Sequence, residues 1–418
     1  MSDTKVSSPP LAVTSIILSM GLLAVGNGLM FAYVPVKLAV EGFEPWVAGS
    51  IITAVAAGGF GGCLLTGPLV RRVGHARVFA TLAALVNLSV LAIALGTEPL
   101  IWIGSRALYG FSASGLFIVS QSWLNDACEN QWRGKVIAVF YMTYVLAIGA
   151  GSFLLRYISL ESLQAPLVSI FFSTLAILPV GLTRLRTPPP PEAVSVALRS
   201  VWRISPVGLV GLLTVGGLTM LVQGFTPVYA AAENYSKDDI ALLMFLMQFG
   251  MIVVQYPLGA VSDRMDRRYV LIAASLIVVL GAATASQMSG AALVWLIVVF
   301  AIWGGGTESI YAVANAHAND RAEPQYYVSL SSTLLVAWSA SGVVLPALAT
   351  ALTQVLGPRA FMFVAIAAAA LYGLFVAYRL TRREPAPEAD QQPYQAISAQ
   401  APYTAELAPQ ASDDPVER

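Results

Sequence analysis

The sequence predicts an all-α membrane protein of twelve transmembrane helices, arranged as two pseudo-symmetric six-helix bundles. Of its 418 residues, 57% are apolar and only 11% charged, against roughly 25% charged in ordinary soluble domains. The apolar residues gather into runs of about 20, the length a helix needs to cross a hydrocarbon layer about 30 Å thick. These runs lack the period-two alternation of a barrel strand. Unpaired backbone cannot face lipid, so helices are the spanning element.

Taken in order, the expected spans are 11–38, 46–70, 76–96, 99–123, 134–156, 165–183, 205–231, 239–261, 269–287, 290–317, 328–354 and 359–380. The first is too long for a signal-peptide core and has Lys5 as its only preceding cation, so it is expected to remain as a span. Residues 1–10 form a short N-terminal tail. The first bundle covers 11–183 and the second 205–380. Between them, 184–204 is a polar linker containing the run Pro188 to Pro191 and four arginines. From 381 to 418 the composition turns to Pro, Ala, Gln, Glu and Asp, which predicts a disordered tail.

Orientation follows from the cations that flank the spans. With the N-terminus in the cytoplasm, seventeen Lys and Arg lie on that side, against Lys37, Arg156, Lys237 and Arg359 outside. The positive-inside rule then places both termini in the cytoplasm, and a bacterial inner membrane is the expected location. Lys plus Arg and Asp plus Glu are equal at 23 each, so no net field points to nucleic acid. Two cysteines, Cys63 and Cys128, are read as a packing residue and a free thiol.

The halves resemble each other. An offset of 192 aligns Pro35-Val36 with Pro227-Val228, Gly67 with Gly259, Arg72 with Arg264 and Val78 with Val270. An offset of 194 places Asn125-Asp126 on Asn319-Asp320. Their matched places in the span order point to duplication, as in transporters whose halves rock about a central site.

Gly259-Ala-Val-Ser-Asp263-Arg264-Met-Asp-Arg267-Arg268 lies between spans eight and nine. It resembles the loop signature of the major facilitator superfamily, Gly-x-Leu-x-Asp-Arg-x-Gly-Arg-Arg. Its counterpart runs from Gly67 to Arg77 and keeps Gly67, Leu69, Arg72 and Gly74, with Arg71 where the family has its acid. An arginine cannot accept the bonds an aspartate would, so Asp263 is expected to carry more of the helix-end latch. Arg106-x-x-x-Gly110 is similar to the family motif with a buried coupling arginine. The stretches Ser122-Trp-Leu-Asn-Asp126 and Ala316-His-Ala-Asn-Asp320 resemble a bacterial branch whose substrates are mostly unassigned. The resemblance implies the major facilitator fold, with the first and fourth spans of each half lining a central cavity.

Arg106 in span four and Glu308 in span ten are the only ionisable side chains, tyrosine aside, well inside the spans. A charge at that depth costs about 2.5 to 3.5 kcal/mol on the insertion scale, so each needs a polar cavity or a partner. Arg106 lies about 10 Å from Pro99 and Glu308 about 17 Å from Asn319, which places them at similar depths. Glu308 is expected to bind a proton or a cationic group, and Arg106 an anionic one. Asn27, Gln121, Gln223, Tyr229, Trp303, Tyr311 and Asn315 are further polar or aromatic candidates for ligand contact.

No cofactor or metal is expected. The two histidines, His75 and His317, sit at span ends, no His-Glu-x-x-His motif occurs, and Gly110 to Gly115 is a weak match to a serine-nucleophile turn. An enzyme is therefore not expected. The glycine cluster at 304 to 306 is not followed by Lys-Ser/Thr, so no phosphate loop supplies ATP. The expected function is proton-coupled secondary transport of a small molecule by alternating access, by a monomer in the bilayer, with export favoured. Uptake, uncoupled facilitation and a transport-dead sensor remain open alternatives.

Overall fold

The computed structural model describes residues 9–96, 98–128, 130–186, 188, 196–382 and 397–400. The first half contains α1 (Pro9–Val40), α2 (Pro45–Val73), α3 (His75–Ala94), α4 (Pro99–Ala127), α5 (Asn130–Leu154), α6 (Gln164–Leu175) and α7 (Ile177–Leu182). After α8 (Leu198–Ile204) come α9 (Pro206–Ala232), α10 (Lys237–Ser262), α11 (Arg267–Ser286), α12 (Leu293–Asn319), α13 (Tyr327–Leu356) and α14 (Ala360–Leu380). Ten stretches are long and apolar enough to cross a membrane, and the last, Tyr327–Leu380, holds both α13 and α14. With α4, which carries the charge of Arg106, the spans number twelve among the described residues. Their ends agree with the sequence reading to within about one helical turn.

Local signals set these ends. Proline stands at the start of α2, α4 and α9, where its missing N–H costs nothing. Ser236 and Asp239 form a reciprocal capping box at the start of α10. Gly74 closes α2 with φ of 84°, a left-handed conformation that a side chain would strain. The sixth span, expected to be continuous, breaks at Ala176. Pro179 cannot donate to the carbonyl of Leu175 and its ring clashes there, so α6 ends and α7 begins anew.

The packing repeats with a period of six spans. In the first half α1 packs on α5 and α6, α2 on α4, and α3 on α4 and α6; in the second, α9 packs on α13 and α14, α10 on α12, and α11 on α12 and α14. The halves meet through α2 against α13 and α5 against α10, pairs that exchange under the same operation. Pro35 and Pro227, matched in sequence, lie inside equivalent helices α1 and α9. The α2–α4 contact needs small residues. A Cβ on Gly58 would overlap the carbonyl oxygen of Ala107, and one on Gly110 that of Val55.

The bundles close on each other at the ends remote from the arginine-rich loops, where Gly49 faces Thr350 and Phe225, and Gly224 faces Ile52. On the same side Lys237 Nζ donates to the carbonyls of Arg156 and Ile158 at 3.2 and 2.6 Å, tying the start of α10 to the turn that follows α5.

Within the linker, α8 is held by Val201, fully buried, and by Ala197 N donating to Thr333 Oγ1 at 2.9 Å. The expectation of a wholly disordered tail after 381 does not hold at Ile397–Gln400, where Ile397, Ser398 and Ala399 are buried and bonded to the second bundle. Residues 1–8, 187, 189–195, 383–396 and 401–418, on which the rest of the tail and linker expectations fall, lie outside the described residues.

Candidate functional site

Glu308 sits midway along α12, just past the three glycines at 304 to 306, and is 3% exposed. Its Oε2 accepts a hydrogen bond from the backbone N–H of Ala399 at 2.7 Å. Gln255 on α10 donates through Nε2 to the carbonyl of Ile397 at 2.8 Å. One and then two turns deeper on the same helix face are Met251 and Gln248. Gln248 Oε1 accepts from Gln400 Nε2 at 2.8 Å, and Gln248 Nε2 donates to Gln223 Oε1 on α9 at 2.7 Å. The segment therefore runs inward from the arginine-rich side, its residues engaged at successive depths of α10. Glu308 has no ion pair among the described residues.

Facing this from the first bundle, Arg106 is 2% exposed. Its guanidinium carbon lies 4.3 Å from the ring centre of Tyr109 and 5.5 Å from that of Phe31, a cation–π arrangement. The Nε and Nη1 atoms have no hydrogen-bond partner among the described residues. Phe31 and Tyr109 also line a central cavity of about 90 Å³, with Asn27, Phe117, Tyr144, Trp338 and Gln400 among its other walls. Asn27 hydrogen-bonds the Tyr144 hydroxyl, and its Oδ1 has no partner. Walls from α2, α5 and α13 join those from α1, α4 and α9, while α12, the fourth span of the second half, contributes none among the described residues, so the lining is not that of the first and fourth spans of each half.

Arg106 and Glu308 share the interior but do not pair. Ala399 occupies the Glu308 carboxylate, and Gln400 stands in the cavity wall beside Tyr109. Asn27 also lines the cavity, and Gln223 bonds Gln248, the partner of Gln400. The other candidates do neither. Gln121 donates to Tyr141 across the α4–α5 contact at 2.9 Å. Tyr229 joins Phe300 and Phe361 in an aromatic cluster and reaches the carbonyl of Met288 at 3.4 Å. Trp303 stacks on Phe361 with ring centres 5.7 Å apart. Tyr311 is buried, and its carbonyl accepts from Asn315 Nδ2 at 2.9 Å within α12. The sequence reading missed Gln248 and Gln255, the two amides seven residues apart on α10.

At the arginine-rich face of the second bundle, the acid that pairs in the interior is Asp320, not Asp263. Arg267 Nε meets Asp320 Oδ2 at 2.6 Å with both side chains at most 2% exposed, whereas the exposed Asp263 stands 3.6 Å from Arg267. Arg268 is gripped by Asp266 through Nε and Nη2 and reaches the carbonyl of Arg379 at 3.3 Å. Burial alone would raise the Asp266 carboxyl; the Arg268 side chain and backbone N–H outweigh it and hold it below its ordinary value. Arg264 and Arg72 are exposed, and Gly259 and Gly67 are buried in their helices. In the first half, 192 residues before Arg267, stands His75, which bonds Ser122 Oγ at 2.9 Å and packs on Trp123. A neutral contact there replaces the ion pair.

The sequence matches the Major Facilitator Superfamily over residues 16–236 and again over 207–409. It is 24% identical over 371 residues to the protein described as "Uncharacterized MFS-type transporter YcaD" of Escherichia coli (strain K12 / DH10B), covering 88% of this chain and 95% of the relative. The fold is similar to that of the peptide transporter POT, with a TM-score of 0.72, 14% identity and coverage of 88% and 94%. It is also similar to the nucleoside transporter NupG, with a TM-score of 0.70, 11% identity and coverage of 89% and 100%.

Proposed function

This chain belongs to the Major Facilitator Superfamily, and on that premise we propose that it is a proton-coupled secondary transporter whose coupling residue is Glu308. A multi-pass membrane protein of this family carries small molecules across a lipid bilayer. The observation that carries the finer reading is a carboxyl only 3% exposed, without an ion pair among the described residues, midway along α12 where it meets the buried segment 397–400. An acid so placed is tolerated at modest cost when it cycles between protonated and charged forms with the opening of the site to either side.

Arg106 complements it. A buried guanidinium with two unpartnered N–H groups favours an anionic ligand group, which its fork can bind with charge-assisted bonds. The two bundles close at their Gly49 and Gly224 ends, and rocking about the shared cavity would exchange that closure for one at the arginine-rich ends. The excess of Lys and Arg on one side supports cytoplasmic termini in a bacterial inner membrane, with export as the working direction.

The test begins with a thermal-shift screen of purified protein against metabolites and drugs, since a ligand of the folded state raises its melting temperature. The ligand found is then driven through proteoliposomes containing a pH-sensitive dye. Saturable flux accompanied by proton movement supports the reading. Flux without proton movement identifies an uncoupled facilitator, and binding without flux a sensor.

A further inference from the structure

We infer that the α10–α12 surface adjoining the cavity behind Gln400 is an amide-recognition subsite, that the chain's own segment Ile397–Gln400 occupies it, and that this segment competes there with solutes bearing peptide-type amides. The inference rests on the reading of the cavity as the transport site.

Three contacts define the subsite. The carboxylate of Glu308 accepts the N–H of Ala399 at 2.7 Å, the amide of Gln255 donates to the carbonyl of Ile397 at 2.8 Å, and the carbonyl of Gln248 accepts the side-chain amide of Gln400 at 2.8 Å. Two of the three read backbone, one N–H and one C=O two residues apart, which no side-chain identity supplies. The third reads a primary amide. Acceptor and donor are thus set at the spacing of consecutive peptide groups, on two different helices of one bundle. With the segment in place Gln255 and Gln248 are 7% and 0% exposed; Gln248 keeps its bond to Gln223 and Gln255 a long one to the Glu308 carbonyl, so removing the segment frees bonding capacity on both amides for a ligand or water.

Burial points the same way. Ile397, Ser398 and Ala399 are 6%, 5% and 0% exposed although the surrounding composition is that of a solvated tail. A segment attached to the same molecule acts at a high effective concentration. Weak contacts of this kind then suffice to hold the cavity, and a free ligand must displace them. Phe31 and Tyr109, whose rings pack on the Arg106 guanidinium, share the cavity wall with Gln400, and the unpartnered Nε and Nη1 of Arg106 behind them suit a carboxylate carried by the same solute. The solute class is therefore a small amide, peptide-like in its donor and acceptor order, with an anionic end tolerated.

The experiment uses the full chain in detergent and the capped tetrapeptide Ac-Ile-Ser-Ala-Gln-NH2 as probe. Ala399→Pro removes the N–H that meets Glu308 while lying outside both bundles. Calorimetric titration is expected to show at least tenfold tighter binding of the peptide to Ala399→Pro than to the wild type, and loss of that binding when Gln255→Ala is added. Equal affinity for the two proteins, binding indifferent to Gln255→Ala, or no binding to either would overturn the inference. A second measurement does not depend on the peptide. In a chain with Cys63 and Cys128 replaced by alanine, Ala399→Cys is expected to react with a maleimide at least tenfold more slowly than after addition of Gln255→Ala, and equal rates would also overturn it. Neither readout involves proton movement, so failure of the coupling proposal leaves these outcomes intact.

Discussion

Arg267 at the start of α11 and Asp320 at the end of α12 form a 2.6 Å ion pair with both side chains essentially closed to solvent. It ties two helix ends that the fold must hold together at the arginine-rich face. Removing Asp320 takes away the close partner of a buried charge and leaves Arg267 the more distant Asp263, and breaking a buried pair costs about 3 to 5 kcal/mol. Asp320→Asn is therefore expected to lower the melting temperature sharply. Asp263→Asn, at an exposed side chain 3.6 Å away, is expected to shift it by no more than the ~0.5 kcal/mol typical of surface pairs. Thermal unfolding of the two variants in detergent checks the contrast.

Arg106 gives the opposite sign. Its buried guanidinium has two unpartnered N–H groups, so it is held for a ligand at the expense of stability. Arg106→Met keeps the length and removes the charge. It is expected to raise the melting temperature of the empty protein, by an amount corresponding to about 1 kcal/mol or more, while abolishing transport. A lower melting temperature would indicate that the arginine serves packing.

The α2–α4 seam predicts a position-specific glycine effect. Gly110→Leu drives a side chain into the carbonyl of Val55 and is expected to cost at least about 3 kcal/mol, seen as loss of the folded peak in size-exclusion chromatography. Gly104→Leu, six residues earlier on the same helix with nothing near its Cβ, is expected to be neutral or to stabilise by up to about 1 kcal/mol through helix propensity.

Glu233, just past the end of α9, predicts a pH effect. Burial would raise its carboxyl, but the Ser289 hydroxyl and the Arg359 guanidinium outweigh that and hold it below its ordinary value. A carboxyl lowered on folding contributes stability above its unfolded pKa of about 4.3 and loses it as pH falls through the folded value. Glu233→Gln is therefore expected to flatten the fall in melting temperature below about pH 4.5, measured as a pH series against the wild type.

The membrane fold was legible in the sequence because hydrocarbon thickness dictates run length, and that constraint acts locally along the chain. Arg106 and Glu308 were legible for the same reason, since a charge at that depth is costly wherever it points. Gln248 and Gln255 were not, because an amide in an apolar run costs little and can serve interhelical bonding as readily as a site. Asp320 carried its signal in the repeat, aligned with Asp126, but which loop acid turns inward depends on how α11 and α12 pack. The placement of Ile397–Gln400 was invisible to composition. Two of its three contacts are made through backbone groups, which every residue possesses.

The central claim is that Glu308 carries the coupled proton, and ligand flux with a pH dye in proteoliposomes compares Glu308→Gln with the wild type most directly. Glu308→Gln is expected to retain ligand exchange across the membrane but neither to accumulate ligand against its gradient nor to move protons. Wild-type accumulation and proton movement in Glu308→Gln would contradict the claim.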